Sequence, residues 1–537
     1  MPQSAQVQTL NGSDLPISER FVLRLRRMGA DLSSSWSAKY VRRGFWGTLL
    51  ISLGSLSPAY LPRSSPWWQL LNTLNATGNV AKLVGTAVTM LGAMMLVDAW
   101  LRIRPHRGLS YEAVTSAAAN VEAYHHVKHW AVLVIWGVPF YVAPPIFSHD
   151  AYSYAAQGWM VHNWVNPYLV GPGTLPGGFA DQVAWVWRFT PAPYGPLSLQ
   201  IQHLLVDLMQ FHPYLSAVAM RLPALLGVFM IAFFLPRIAI QMGRDAAFAA
   251  WFGVLNPLLV INFIGGAHND SLMMGFVVLA LWFAFGGRGS PLLVKHGWLL
   301  AAILIGVGAA IKQPAILAAY SVPLIARPWA NWSAREVGIT VGRVLLSFGL
   351  AIGTFSLITV ATGLGFGWIN AVNVPGMVIT ISPSTIIGQV VQWVVNMFGL
   401  DPTGWVAVRT SRSIGLGIGV ISIAVIALTV ARKRPVTFLW SAYLIAAFSA
   451  PALHSWYVQW GGTLMPLSKL SDRTVRIAIW ATVILLSYDA INMSWRNGQV
   501  ALGVATLFGL LALARSHQMR IPRMVSEDEG LESVVQQ

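Results

Sequence analysis

The residues with the most chemistry in this chain begin at Ser148-His149-Asp150-Ala151-Tyr152-Ser153-Tyr154-Ala155-Ala156-Gln157-Gly158. On a helix, Asp150, Ser153, Tyr154 and Gln157 fall at i, i+3, i+4 and i+7, which makes one polar face. A carboxylate at the head of such a face can take a proton from a hydroxyl group. The same residue type also suits a helix N-cap. Spacing favours the site reading and leaves the cap reading open.

Four further stretches carry polar groups in otherwise apolar surroundings. Arg188 opens Arg-Phe-Thr-Pro-Ala-Pro-Tyr194-Gly-Pro196, where three prolines in six residues dictate a rigid loop. The arginine suits a phosphate, while the loop by itself needs no function. Gly265-Gly266-Ala267-His268-Asn269-Asp270 places His, Asn and Asp after two glycines, either as a ligand contact or as a helix cap. Lys312-Gln313-Pro314 puts a cation between two short apolar runs, where it can snorkel or meet a phosphate. Pro451-Ala452-Leu453-His454-Ser455-Trp456-Tyr457 offers an imidazole and two aromatics for a sugar or phosphate, or for the aromatic belt of a membrane. Asp150 is the candidate base. The candidate substrate-binding residues are His149, Tyr152, Tyr154, Gln157, Arg188, Tyr194, His268, Asn269, Asp270, Lys312, Gln313, His454, Trp456 and Tyr457.

Several familiar chemistries are missing. There is no cysteine, hence no thiolate chemistry, and no Gly-x-x-x-x-Gly-Lys-[Ser/Thr] or His-Glu-x-x-His. A nucleotide energy source or sugar-nucleotide donor is therefore not expected. Gly415, Gly417 and Gly419 sit inside an apolar run and read as helix packing. His125-His126 lies away from the other clusters. No cofactor and no metal are assigned; a metal shared by Asp150 and Asp270 is the less favoured alternative.

The elements that position these residues must be membrane helices. Of 537 residues, 55% are hydrophobic and only 10% charged, against about 25% charge in soluble domains. With a mean hydropathy of +0.59, this excludes a disordered chain, a nucleic-acid binder and an ordinary cytosolic enzyme, in spite of a net charge of +16. Apolar runs lie near 44–59, 79–100, 130–147, 216–240, 247–264, 271–287, 297–311, 314–326, 339–361, 414–431, 436–451, 455–467, 475–492 and 498–515. The expected fold is an all-α polytopic bundle of about 12–14 spans. With a cytosolic N-terminus and strict alternation, only eight of the 35 basic residues fall outside: Arg63, Lys82, Arg188, Arg221, Lys312, Arg409, Arg412 and Arg496. Residues 1–43 then form a cytosolic basic tail, 44–515 the transmembrane domain and 516–537 a disordered cytosolic tail. Two long external segments, 148–215 and 362–413, are rich in Pro, Gly, Trp and Tyr. They suit interfacial or re-entrant helices that roof a site.

Asp150-Ala-Tyr152-Ser153-Tyr154-Ala-Ala-Gln157-Gly158, Asn166-Pro167-Tyr168, Thr190-Pro-Ala-Pro193-Tyr194-Gly195-Pro196 and Gly266-Ala-His268-Asn269-Asp270 resemble the polyprenyl-phosphate-mannose-dependent α-(1→6)-mannopyranosyltransferases of mycobacteria and corynebacteria. The resemblance runs from about residue 130 to about 470. It implies a GT-C-class transferase in a bacterial plasma membrane. The implied active site is external, the donor a polyprenyl-phosphate-mannose and the acceptor the lipid-anchored mannan of lipomannan and lipoarabinomannan. The family's base, an Asp in the first large external loop, maps onto Asp150. The residue inventory suits that chemistry, because a polyprenyl phosphate leaves without much acid help. One base and a ring of Arg188, Lys312, His268 and His454 around the phosphate would suffice for a single inverting displacement. The alternatives are a GT-C transferase for another lipid-linked sugar, such as arabinofuranose, and a polar-lipid transporter or flippase. The transporter class calls for charges at midplane depth, where only Asp489 and Arg343 are candidates.

Overall fold

The computed structural model describes residues 17–105, 127–287, 289–370, 374, 380–400, 404–496 and 498–520. All of its regular structure is helical. The main helices are α1 (Ile17–Ser37), α2 (Lys39–Ser55), α3 (Pro66–Thr73), α4 (Asn79–Arg102), α5 (His129–Gly137), α6 (Asp150–His162) and α7 (Pro196–Leu208). They are followed by α8 (Pro213–Gln241), α9 (Ala246–Gly253), α10 (Pro257–Gly265), α11 (Asp270–Ala284), α12 (Pro291–Ile311) and α13 (Ala318–Ala326). The last are α14 (Ala334–Ala361), α15 (Pro383–Met397), α16 (Val406–Thr429), α17 (Pro435–Ser449), α18 (Asp472–Arg496) and α19 (Val500–Arg520).

Among the described residues, seven helices are long and apolar enough to cross a membrane: α4, α8, α12, α14, α16, α18 and α19. The α9–α10 pair, bent by 46° where Asn256 and Pro257 interrupt the first run, makes an eighth. Four shorter apolar helices, centred on α5, α11, α13 and α17, complete the bundle. The chain is therefore a polytopic all-α membrane protein.

Two expected spans are corrected: α2, over the first expected run at 44–59, is neither among the seven long helices nor among the shorter apolar ones. Residues 455–467 do not form a helix long enough to cross a membrane. They break into Ser455–Tyr457, Val458–Gly462 and Met465–Leu467. Two adjacent glycines and Pro466 interrupt the apolar run. The broken path still returns along α17, because the Ser468 hydroxyl meets Thr437 Oγ1 at 3.0 Å and accepts from Trp440 Nε1 at 3.0 Å.

Segments 148–215 and 362–413 fold largely as helices where they are described. Segment 148–215 contains α6, α7 and three one-turn pieces. In 362–413, α15 packs as an antiparallel hairpin on α16. Gly415 and Gly419 of α16 abut Ser384 and Ser449, in line with helix packing. The basic N-terminal stretch is helical from Ile17 and docks on α5 through Ser35, whose hydroxyl accepts from Lys128 N–H. At the other end α19 runs to Arg520. His125-His126 and the acidic end from Ser526 lie outside the described residues.

The two ends are joined by a buried charge knot. Asp98 of α4 meets Arg43 at 2.6 Å, Arg102 at 2.9 Å and His517 of α19 at 3.1 Å.

Candidate active site

Two of the segments that deliver the site residues, those of Asp150 and His268, are bent by a non-glycine residue in the left-handed region, Phe147 (φ 57°) and Ala267 (φ 56°). Such strain persists only where the surroundings enforce it, and it clusters at functional sites. Here a backbone hydrogen bond from Ile146 N–H to Gly265 C=O ties the two segments together. Beneath them α10 ends in a π-helical turn, Val260–Gly265. Arg221, buried in the N-terminal half of α8, satisfies its carbonyls by donating to Ile264 O (2.8 Å) and Gly265 O (3.0 Å), and it reaches across to Tyr141 O (3.2 Å). Arg221 was not among the expected site residues. Its role is structural support, visible only from the long-range contacts.

Asp150 starts α6, and its N–H is taken by Ser148 Oγ. The N-cap residue of the helix is His149. The Asp150 side chain keeps 18% of its surface open and lies 3.5 Å from Nδ1 of His268, which is completely buried. His268 stacks on Trp456 (centroids 3.9 Å apart), and Trp456 stacks on His454 (4.4 Å). Burial, with Lys312 and His454 nearby, holds the His268 imidazole well below its ordinary value, so the ring is neutral at physiological pH.

Asp270 is a different kind of carboxylate. It is completely buried, and Lys312 Nζ donates to both of its oxygens at 2.8 Å. Trp460 Nε1 donates to Oδ1 at 2.7 Å. Lys312 also lies over the Tyr457 ring at 4.6 Å. The Asn269 side chain does not cap α11. It accepts from Tyr154 OH at 3.4 Å and donates to Ser198 Oγ at 3.4 Å, and Ser198 is held by Gln202 at 3.1 Å. Ser198 and Gln202, on α7, are further members that the motif reading passed over.

The proline loop closes the cluster. Gly195 N–H donates to Ile311 O (3.0 Å), and Gln313 Nε2 donates to Pro193 O (3.1 Å). A Cβ on Gly195 would sit 2.2 Å from Ala310 O, so this approach requires glycine. Tyr194 packs edge-on against Tyr154 at 5.0 Å. Burial raises the hydroxyls of both tyrosines well above 10, which keeps them neutral and unsuited to act as bases.

Asp150, Tyr154, Tyr194, His268, Asn269, Asp270, Lys312, Gln313, His454, Trp456 and Tyr457 thus converge at one end of the bundle. His149 lies at the rim, with Nε2 3.3 Å from Tyr60 O. Tyr152 and Gln157 are buried side chains of α6 itself. Arg188 lies elsewhere on the loop, donating to Asp181 at 2.8 Å. One residue outside the expected set holds the aromatic wall in place: Ser455 Oγ donates to the buried Asp489 of α18 at 2.6 Å.

The neutral state of His268 sets a pH dependence. The unfolded chain takes a proton on this imidazole near 6.5, and the folded chain only at a much lower pH. Its contribution to stability is full above pH 6.5 and is lost as pH falls below that value. Thermal denaturation of the detergent-solubilised protein between pH 7.5 and 5 should show a falling melting temperature, and a His268→Gln variant a shallower slope.

An all-α membrane bundle with one partly open carboxylate, a buried lysine–carboxylate pair and an aromatic–imidazole wall defines a polytopic membrane protein with an enzyme-like polar site. Residues 41–331 match the family model described as alpha-(1->6)-mannopyranosyltransferase, N-terminal domain, and the chain belongs to this family. A probable alpha-(1->6)-mannopyranosyltransferase of Mycolicibacterium smegmatis is 29% identical, over 80% of this chain and 78% of that protein. An alpha-(1->6)-mannopyranosyltransferase of Mycobacterium tuberculosis is 28% identical, over 82% and 80% respectively. Alpha-(1->6)-mannopyranosyltransferase A of Corynebacterium glutamicum is 28% identical, over 75% and 83%. No solved structure matches.

Proposed function

We propose that this protein transfers mannose from a polyprenyl-phosphate-mannose to the 6-hydroxyl of a lipid-anchored α-(1→6)-mannan, with Asp150 as the general base. The observation that carries the reading is the contrast between the two carboxylates. Asp150 is partly open, whereas Asp270 is sealed and has both oxygens committed to Lys312. Only the first is placed to meet an acceptor hydroxyl. The neutral His268 ring lies 3.5 Å from the Asp150 carboxylate and is backed by the Trp456 ring. His454 and Lys312 supply donors and positive potential toward the departing phosphate. The displacement is single and inverting. The acceptor oxygen bonds to the anomeric carbon, the bond to the phosphate oxygen breaks, and the hydroxyl proton passes to Asp150.

The test is incubation of the purified protein with radiolabelled polyprenyl-phosphate-mannose and a short α-(1→6)-mannoside. Chain extension by one mannose is expected. Transfer from a lipid-linked arabinofuranose instead would replace the donor assignment.

The site faces outward in this reading, which rests on the distribution of basic residues together with the convergence of the five polar connecting segments. Single cysteines at the exposed positions Thr174 and Asn370 should react with an impermeant thiol reagent in intact cells. A cysteine at the exposed Lys433 should react only after permeabilisation. The reverse pattern would overturn the orientation.

A further inference from the structure

We propose that His162, His203 and Asp207 form a site for a zinc-class divalent cation, separate from the Asp150 cluster. His162 ends α6, while His203 and Asp207 stand one turn apart on the same face of α7. One ligand atom from each lies within 4.8 Å of the other two. Asp207 Oδ1 is 2.9 Å from His162 Nδ1, and Oδ2 is 3.3 Å from His203 Nε2. A tetrahedral zinc ion with bonds of ~2.1 Å keeps its ligands roughly 3.4 Å apart, so small side-chain rotations admit it. Two imidazoles and a carboxylate are a common ligand set for such ions and leave a fourth position for water.

The surroundings support ligation. Gln200 Oε1 lies 3.5 Å from His203 Nδ1, which fixes the ring with Nε2 toward Asp207, as outer partners of metal-bound histidines do. His162 packs against both Trp159 (5.2 Å, stacked) and Phe211 (4.5 Å, tilted), which limit the rotation of its ring. The three side chains are each roughly one-third exposed, so an ion has an entry path. The site lies about 18 Å along α6 from Asp150. Bound there, the ion clamps the far end of the helix that carries Asp150 onto α7.

The test uses tag-free, EDTA-treated full-length protein in detergent, titrated with Co²⁺. One saturable equivalent with visible ligand-field absorption is expected, bleached by Zn²⁺, and Zn²⁺ should raise the melting temperature. His203→Gln, His162→Gln and Asp207→Asn should each weaken Co²⁺ binding at least about tenfold, because loss of an outer partner alone costs about that much. They should also abolish the Zn²⁺-dependent thermal shift. Any one variant that elutes as a single species is enough for the comparison. No saturable absorption, or binding unchanged in the folded variants, overturns the site.

Discussion

Asp150→Asn should leave an inserted, monodisperse protein that transfers mannose at least about a hundredfold more slowly, the lower end of what a general base contributes. Asn is nearly the same size and keeps its hydrogen-bonding capacity. It loses the negative charge and the ability to take a proton. His149 rather than Asp150 is the N-cap residue of α6, and Asn serves helix termini as well as Asp does. Donor binding should survive, since the base meets the acceptor hydroxyl. Asp150→Glu should retain weak activity, because a displacement of about 1 Å can cost two orders of magnitude. The measurement is mannose transfer by matched amounts of purified variant. Turnover of Asp150→Asn within about tenfold of the parent would place the base elsewhere.

The second large effect concerns stability. Lys312→Ala leaves the sealed Asp270 without its cation, and breaking one side of a buried pair costs about 3–5 kcal/mol. Such a loss approaches the whole stability of many domains, so folded yield should collapse. Asp270→Asn combined with Lys312→Met removes both charges. It retains an amide oxygen for Trp460 Nε1, which now donates to Asp270. This double variant should recover most of the melting temperature lost in Lys312→Ala, though not the transferase activity if Lys312 also acts on the phosphate. Full activity in a folded Lys312→Ala protein would remove the lysine from both roles.

Much of the site was readable from type and spacing. In a chain so poor in charge, His268-Asn269-Asp270, Lys312-Gln313 and His454-Ser455-Trp456-Tyr457 stand out, and all three come together. What spacing does not contain is pairing. Lys312 and Asp270, 42 positions apart, were separate candidates for binding substrate, and the structure joins them to each other. Asp489 reads as an isolated charge near the end of a span, and its partner Ser455 lies 34 positions away. Residues 455–467 look like a span because hydropathy registers apolar content and not helix continuity. Gly461-Gly462 and Pro466 were the available warning. His162 and His203 drew no notice because they belong to different segments, and only the packing of α6 on α7 makes them neighbours.

The charge knot at Asp98 bears on how the protein is made. Arg43 and Arg102 are available to this carboxylate as soon as α4 has been synthesised, but His517 emerges more than four hundred residues later. The nascent chain therefore holds a provisional ion pair through the insertion of every intervening helix and completes it with the last one. A protein truncated before α19 would remain neutralised at Asp98 yet lack the contact that ties α19 to α4. It should pass insertion and then be caught by quality-control proteolysis.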